Sequence, residues 1–97
     1  MKKGFIARLV VRPEARAEFE RLQIELKRLT HENEPGTPVY ELMRSADAPC
    51  VYMVVATFDS EEAFEIHQTS SFHDKLVPPI LACLAQDMEL AFYDVLG

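Results

Sequence analysis

The chain has no tryptophan, three glycines and two cysteines among its 97 residues. No glycine-rich phosphate loop, dinucleotide fingerprint or nucleophile elbow is present. Cys50 and Cys83 fit no metal-ligand spacing, so two free thiols in a reducing compartment are expected. Neither has a cationic neighbour in sequence to lower its pKa, which points to packing and not to reactivity. Positive charge is also scarce: 10 Lys and Arg against 16 Asp and Glu leave a net charge of −6. Beyond Lys2-Lys3 and Lys27-Arg28 there is no basic cluster, which argues against nucleic acid and against an anionic membrane surface as partners. No apolar run approaches the roughly 18 residues needed to span a bilayer. Met1-Lys2-Lys3 looks like the start of a signal peptide, but Arg8 and Arg12 interrupt the apolar run behind it. No export core is expected, and the cytoplasm is the expected location. Repeats, linkers and low-complexity segments are absent.

What is present is a globular pattern. With 48% hydrophobic and 27% charged residues, the chain is expected to fold as one small domain over residues 1–97. A domain of this size buries a modest share of its surface, so association is a natural source of added stability. Phe5 to Arg12 reads as a first strand stopped by Pro13, which then opens a helix. Ala15, Phe19, Leu22, Leu26 and Leu29 draw one apolar stripe, with Arg16–Glu20 and Glu25–Arg28 pairs on the solvated side. Pro35 ends that helix and Gly36 is expected to supply the turn. Val39 to Arg44 and Cys50 to Phe58 read as strands joined by a polar near-hairpin. An Asp59-x-x-Glu62 capping box predicts a helix start at Ser60. Ser70 or Ser71 should cap a further helical turn, broken or kinked at Pro78-Pro79. Met88 to Val95 is the last strand.

The order β-α-β-β-α-β suits an α+β, ferredoxin-like fold with a four-stranded antiparallel sheet. A sheet covered on one side should alternate apolar and polar residues. The third strand does not, since Val51, Met53 and Val55 oppose Cys50, Tyr52, Val54, Ala56 and Phe58. The first strand behaves alike, with Phe5, Ala7, Leu9 and Val11 opposing Ile6 and Val10. Two helices cover one face only, so a second copy of the chain is expected on the other, burying on the order of 2,000 Å² or more. A ligand pocket should remain between the sheet and its own helices.

Residues 33–72 form the most specific stretch. Asn33-Glu34-Pro35-Gly36 is followed by Tyr40, the apolar third strand, Asp59-Ser60-Glu61-Glu62-Ala63, His67 and Ser71-Phe72. This pattern resembles the antibiotic biosynthesis monooxygenase domain, a branch of the dimeric α/β-barrel proteins, over nearly the whole chain. The resemblance implies a homodimer and a choice among several activities. These include cofactor-free oxygenation of quinols and polycyclic phenols, haem degradation, and isomerisation of a phosphorylated sugar. The family often carries an acidic residue two positions before an aromatic at the end of the third strand; here those positions hold Ala56 and Phe58. The haem-degrading pattern of Asn, Trp and His meets Ala7, His67 and Val77, which argues against haem.

Cofactor-free oxygenation requires a base, donors for an oxyanion and a dry apolar pocket. His67 is the candidate catalytic residue, since imidazole titrates in the right range and Phe64 sits one turn earlier on the same helix. The plain alternative is a core-edge histidine bonded to a carbonyl. Tyr40, Tyr52 and Asn33 are candidate substrate-binding residues, against core packing for the tyrosines and a helix-ending role for Asn33. Phe64 and Phe72 are candidates to flank a planar ligand. Arg8 and Arg44 could hold an oxyanion, against solvated edge charges. His31 and His73 are assigned to the surface; His67 and His73, six apart, do not share a helical face, and no metal set is expected. The leading expectation is a cofactor-independent monooxygenase acting with O₂ on a quinol-like or polycyclic aromatic. The alternatives are a non-catalytic ligand-binding or structural dimer, or a sugar-phosphate isomerase, which requires basic residues converging on the pocket.

Overall fold

A computed structural model describes residues 2–97. Strand β1 (Lys3–Val10) leads through a 3₁₀ turn at Pro13–Ala15 into helix α1 (Arg16–Asn33). Strands β2 (Val39–Arg44) and β3 (Val51–Phe58) come next, then helices α2 (Glu61–Thr69) and α3 (Ser71–Leu81), and finally strand β4 (Glu89–Asp94). The sheet order is β2-β3-β1-β4, with every neighbouring pair antiparallel. This is the expected α+β, ferredoxin-like arrangement, with the helical layer divided into three. Among the described residues no helix is long and apolar enough to cross a membrane.

The core lies between one sheet face and the helices. Ala7, Leu9 and Val11 beside Tyr52, Val54, Ala56 and Phe58 meet Phe19, Leu22 and Leu26 of α1 and Ile80 of α3, all buried. The α1 stripe is rotated relative to expectation: Leu29 is half-buried, while Gln23 and Thr30 are buried on the packed side. The stripe follows 3.6 residues per turn, so Gln23 and Thr30 fall on it despite their polarity. Glu25–Arg28 pairs as expected, but Glu20 reaches Arg44, at 3.2 Å, and not Arg16.

Local rules err in two places. Ser60, not Asp59, caps α2, its hydroxyl accepting from the Ala63 N–H at 3.1 Å. Helix α3, capped by Ser70, passes through Pro78-Pro79 without ending there. The prolines remove two donors, but the ladder resumes where the Ala82 N–H reaches the Pro78 carbonyl at 3.0 Å. Gly36 has no left-handed backbone. The chain turns at Pro35-Gly36 as expected, and a Cβ on Gly36 would lie 2.7 Å from the Ala63 Cβ, so glycine there also permits a close approach. The Asp59 N–H donates to the Gly36 carbonyl at 2.9 Å, which pins the turn after α1 onto the start of α2.

Among the described residues no element covers the outer sheet face. Ile6, Val10, Val51, Met53 and Val55 are half-buried there only by their neighbours, and Met43 and Tyr93 are exposed. Apolar residues on both faces of β1 and β3 are thus present as expected.

Candidate functional site

The turn pinned by Gly36 decides where Glu34 points. Helix α1 ends with the Glu34 N–H donating to the Thr30 carbonyl, and Pro35 then turns the chain. The Glu34 side chain enters the interior, only 4% exposed. On α2, Ala63 and His67 are one turn apart and face inward. There His67 Nδ1 lies 2.9 Å from Glu34 Oε1, with both side chains buried. The Thr37 hydroxyl donates to the same oxygen at 3.2 Å, while Glu34 Oε2 is buried without a partner.

Glu34 holds His67 by Nδ1, so the ring's other nitrogen is the one available to chemistry. Around the imidazole stand Phe58, Tyr40 and His73, with ring centroids at 5.3, 5.6 and 4.9 Å. The Tyr40 hydroxyl donates to Gln23 Oε1 at 3.3 Å, which leaves the Gln23 amide N–H groups as donors. Burial and the nearby Glu34 push the Tyr40 hydroxyl well above its ordinary pKa, so it stays protonated. Loss of water also drives the His67 imidazolium down, to about 4, and the Glu34 carboxyl up. At neutral pH the imidazole is uncharged.

Beside this cluster lies a cavity of about 240 Å³ between the sheet and the helices. Ala7, Leu9 and Val54 form its floor, with Leu26, Val77 and Ile80 from the helices above. Phe5, Phe64 and Phe92 make an aromatic wall, with Phe64–Phe92 at 5.6 Å and Phe5–Phe92 at 6.4 Å, both edge-to-face. Its polar lining is Gln23, Tyr40, His67, Gln68 and His73, and no Lys or Arg takes part. Among the described residues no group of three His, Cys, Asp or Glu could hold a metal ion.

Of the candidates read from the sequence, His67, Tyr40 and Phe64 meet at this cavity. Tyr52, Asn33 and Phe72 are not among its lining residues. Tyr52 packs on Phe19 at 4.6 Å and hydrogen-bonds Glu20. Asn33 is exposed and donates to the Leu29 carbonyl at 2.9 Å, closing the helix. Phe72 is half-buried against the core. Arg8 and Arg44 are spent on ion pairs with Glu89 and Glu20, at 3.3 and 3.2 Å. His31 is exposed, as expected.

His73, expected at the surface, instead lines the cavity, half-buried. Six residues separate it from His67, but the extended backbone of Ser70, φ −64° and ψ 146°, breaks the helix between them and invalidates helical spacing. Glu34 and Gln23 are site residues that sequence patterns alone do not single out. Gln23 is detectable, since it lies four residues after Phe19 on the apolar stripe. Glu34 carries no signal beyond its place before Pro-Gly, where any exposed turn residue would fit.

The comparisons agree with this architecture. A model of the family described as antibiotic biosynthesis monooxygenase matches residues 4–78. A Caulobacter crescentus structure assigned to that family is 28% identical, with a TM-score of 0.95 over 99% of this chain and 91% of that one. A second structure named antibiotic biosynthesis monooxygenase is also 28% identical, with a TM-score of 0.88 over 100% of both chains. A Mycobacterium tuberculosis structure shares the fold at 23% identity, with a TM-score of 0.90 over 100% of this chain and 97% of that one. No curated protein matches the sequence. With three quarters of its length under the family model and its sheet, turn and helices superposing on such structures, this chain belongs to the antibiotic biosynthesis monooxygenase family.

Proposed function

We propose that the protein is a cofactor-independent monooxygenase that oxidises a quinol-like aromatic with O₂, with His67 as its base. The observation that carries this is the buried Glu34–His67 pair at the side of an apolar cavity free of Lys and Arg. A hydroquinone can be its own reductant. One oxygen atom of O₂ enters the ring, the other leaves as water with two substrate hydrogens, and the product is a hydroxyquinone. The protein's part is to start this by removing the hydroxyl proton. His67 accepts it on the nitrogen turned away from Glu34, and the Gln23 amide donates to the oxyanion left behind. The cavity wall keeps water from the electron-rich ring, where O₂ reacts.

Glu34 supplies the carboxylate that Ala56 cannot, from a different element. It fixes the imidazole by one hydrogen bond, and a negative charge on it raises the basicity of the free nitrogen. A phosphorylated sugar finds no support, because that reading needs cationic residues in the cavity and none lines it. One observation favours a second reading, a dimer that binds such a ligand without turnover: burial holds His67 at about 4, low for a base. Oxygen uptake separates the two. With a panel of hydroquinones and naphthalenediols, the protein should consume O₂ without added flavin or metal and His67→Ala should not. Absence of uptake across the panel, with binding retained, leaves the non-catalytic reading.

The active form is proposed to be a homodimer through the outer sheet face. In support, that face is apolar on β1 and β3, and no element among the described residues covers it. Multi-angle light scattering should give twice the chain mass, and Met53→Asp should halve it. A stable wild-type monomer would remove this part. The two free thiols suit a cytoplasmic setting.

A further inference from the structure

The cavity has a definite capacity and a polarity gradient, and together they narrow what it takes. An engineered core cavity of about 150 Å³ holds one benzene ring. At about 240 Å³, this one is about 1.6 times larger, space for roughly ten ring atoms. Two fused rings fill that volume, and a rigid third exceeds it. Three of the polar lining groups, His67, Tyr40 and Gln23, are buried, while His73 is half-buried and Gln68 exposed. The helical layer stops short of β4. Leu81, Met88, Leu90 and Phe92 line the same cavity yet are exposed, Phe92 by 56%. Leu90 and Phe92 pair with Ala7 and Phe5, so they lie on the helix-facing side of the sheet and continue the cavity wall outward. Along Leu81, Met88, Leu90 and Phe92 the way out is apolar, and no Lys or Arg lines the cavity to meet a charged substituent.

We propose that the occupant is a neutral two-ring hydroxyarene bearing an alkyl chain opposite its hydroxyl. The hydroxyl meets His67, the rings lie against the Phe5–Phe64–Phe92 wall, and the chain leaves over Leu81 and Leu90. A rigid third ring would draw the hydroxyl away from His67, whereas a flexible chain follows the mouth. The inference rests on the cavity being the substrate site and is read by binding, so it stands or falls apart from turnover.

Calorimetric titration of the full chain under anaerobic conditions, with phenol, 2-naphthol, 2-anthrol and 6-butyl-2-naphthol, tests it. Naphthol should bind at least tenfold tighter than phenol, anthrol no tighter than naphthol, and the butyl compound about tenfold tighter again. In a Leu81→Ser/Leu90→Ser protein the butyl gain should vanish, the butyl compound binding no tighter than naphthol binds to that same protein. Anthrol binding tighter than naphthol would overturn the capacity argument. A butyl gain that is absent, as when a partner copy closes the mouth, or that survives the double substitution, would overturn the chain path. If no arene binds, the cavity is not the substrate site and both readings fall together.

Discussion

Two tyrosines on the same sheet face occupy opposite surroundings. Tyr52 and Tyr40 stand on adjacent strands, both buried, and each hydroxyl donates to a side chain of α1, Glu20 for one and Gln23 for the other. Around Tyr52 the packing is solid and cations stand near, Arg16 and Arg44. Glu20 also meets Arg44, and its carboxyl is held below the ordinary range, first by the Tyr52 hydrogen bond. Around Tyr40 there is a cavity, no cation, and a carboxylate, Glu34, pushed the other way by loss of water. Two glutamates at either end of one helix are thus driven apart by their environments, a pattern typical of sites with acid–base roles. The first cluster ties an edge together near water. The second gathers Glu34, Tyr40 and His67 away from water.

The strongest way to break this contrast is His67→Ala. Removing a positioned base costs roughly 10²–10⁴ in rate, so oxygen uptake with a hydroquinone substrate should fall by that much, while Tyr52→Phe leaves it unchanged. A retained rate in His67→Ala would move the base elsewhere. Next comes acid. Above pH 6.5 the buried neutral His67 adds no penalty, but between pH 6.5 and about 4 the unfolded chain binds a proton that the folded one refuses. Stability is therefore lost as pH falls through that window, by up to about 3 kcal/mol. Glu34, raised in the folded state, works in the opposite sense and trims the loss. Urea unfolding at pH 7 and pH 4.5 should show the slope in the natural protein and a flatter one in His67→Gln; equal slopes would contradict the burial argument.

Gly36→Ala places a Cβ against Ala63 and should cost about 1–3 kcal/mol, as overpacking does. It should also reduce activity more than an equally destabilising change near Tyr52, because it shifts Glu34. Thermal melts alongside rates will tell. The smallest effect sharpens the other half of the comparison: Tyr52→Phe should cost only about 0.5–1.5 kcal/mol, a typical net hydrogen bond. A loss well above that would mean the Glu20 cluster is less well hydrated than its surroundings imply.

Legibility tracks the range of the physical rule involved. The period-2 pattern of β3 and the 3.6-residue stripe of α1 are local, and both elements form where they point. Tyr40, Phe64 and His67 are legible as candidates because each sits on such an element, while the facing of His67 stays open in sequence. Tyr52 looks identical to Tyr40 in sequence, and only the packing of Phe19 against it separates the two. His73 eludes helical spacing because a single extended residue, Ser70, resets the helical phase.

By itself the sequence determined the order of strands and helices and the apolar character of both sheet faces, and it offered one candidate imidazole without fixing where it faces. These depend on each residue's own solubility and on neighbours within a turn or a strand. Which carboxylate meets that imidazole was decided only in three dimensions. Glu34 and His67 are 33 residues apart, joined because Gly36 lets one loop settle against Ala63. No short-range preference encodes a contact of that span, since it exists only once the sheet and helices have closed around it.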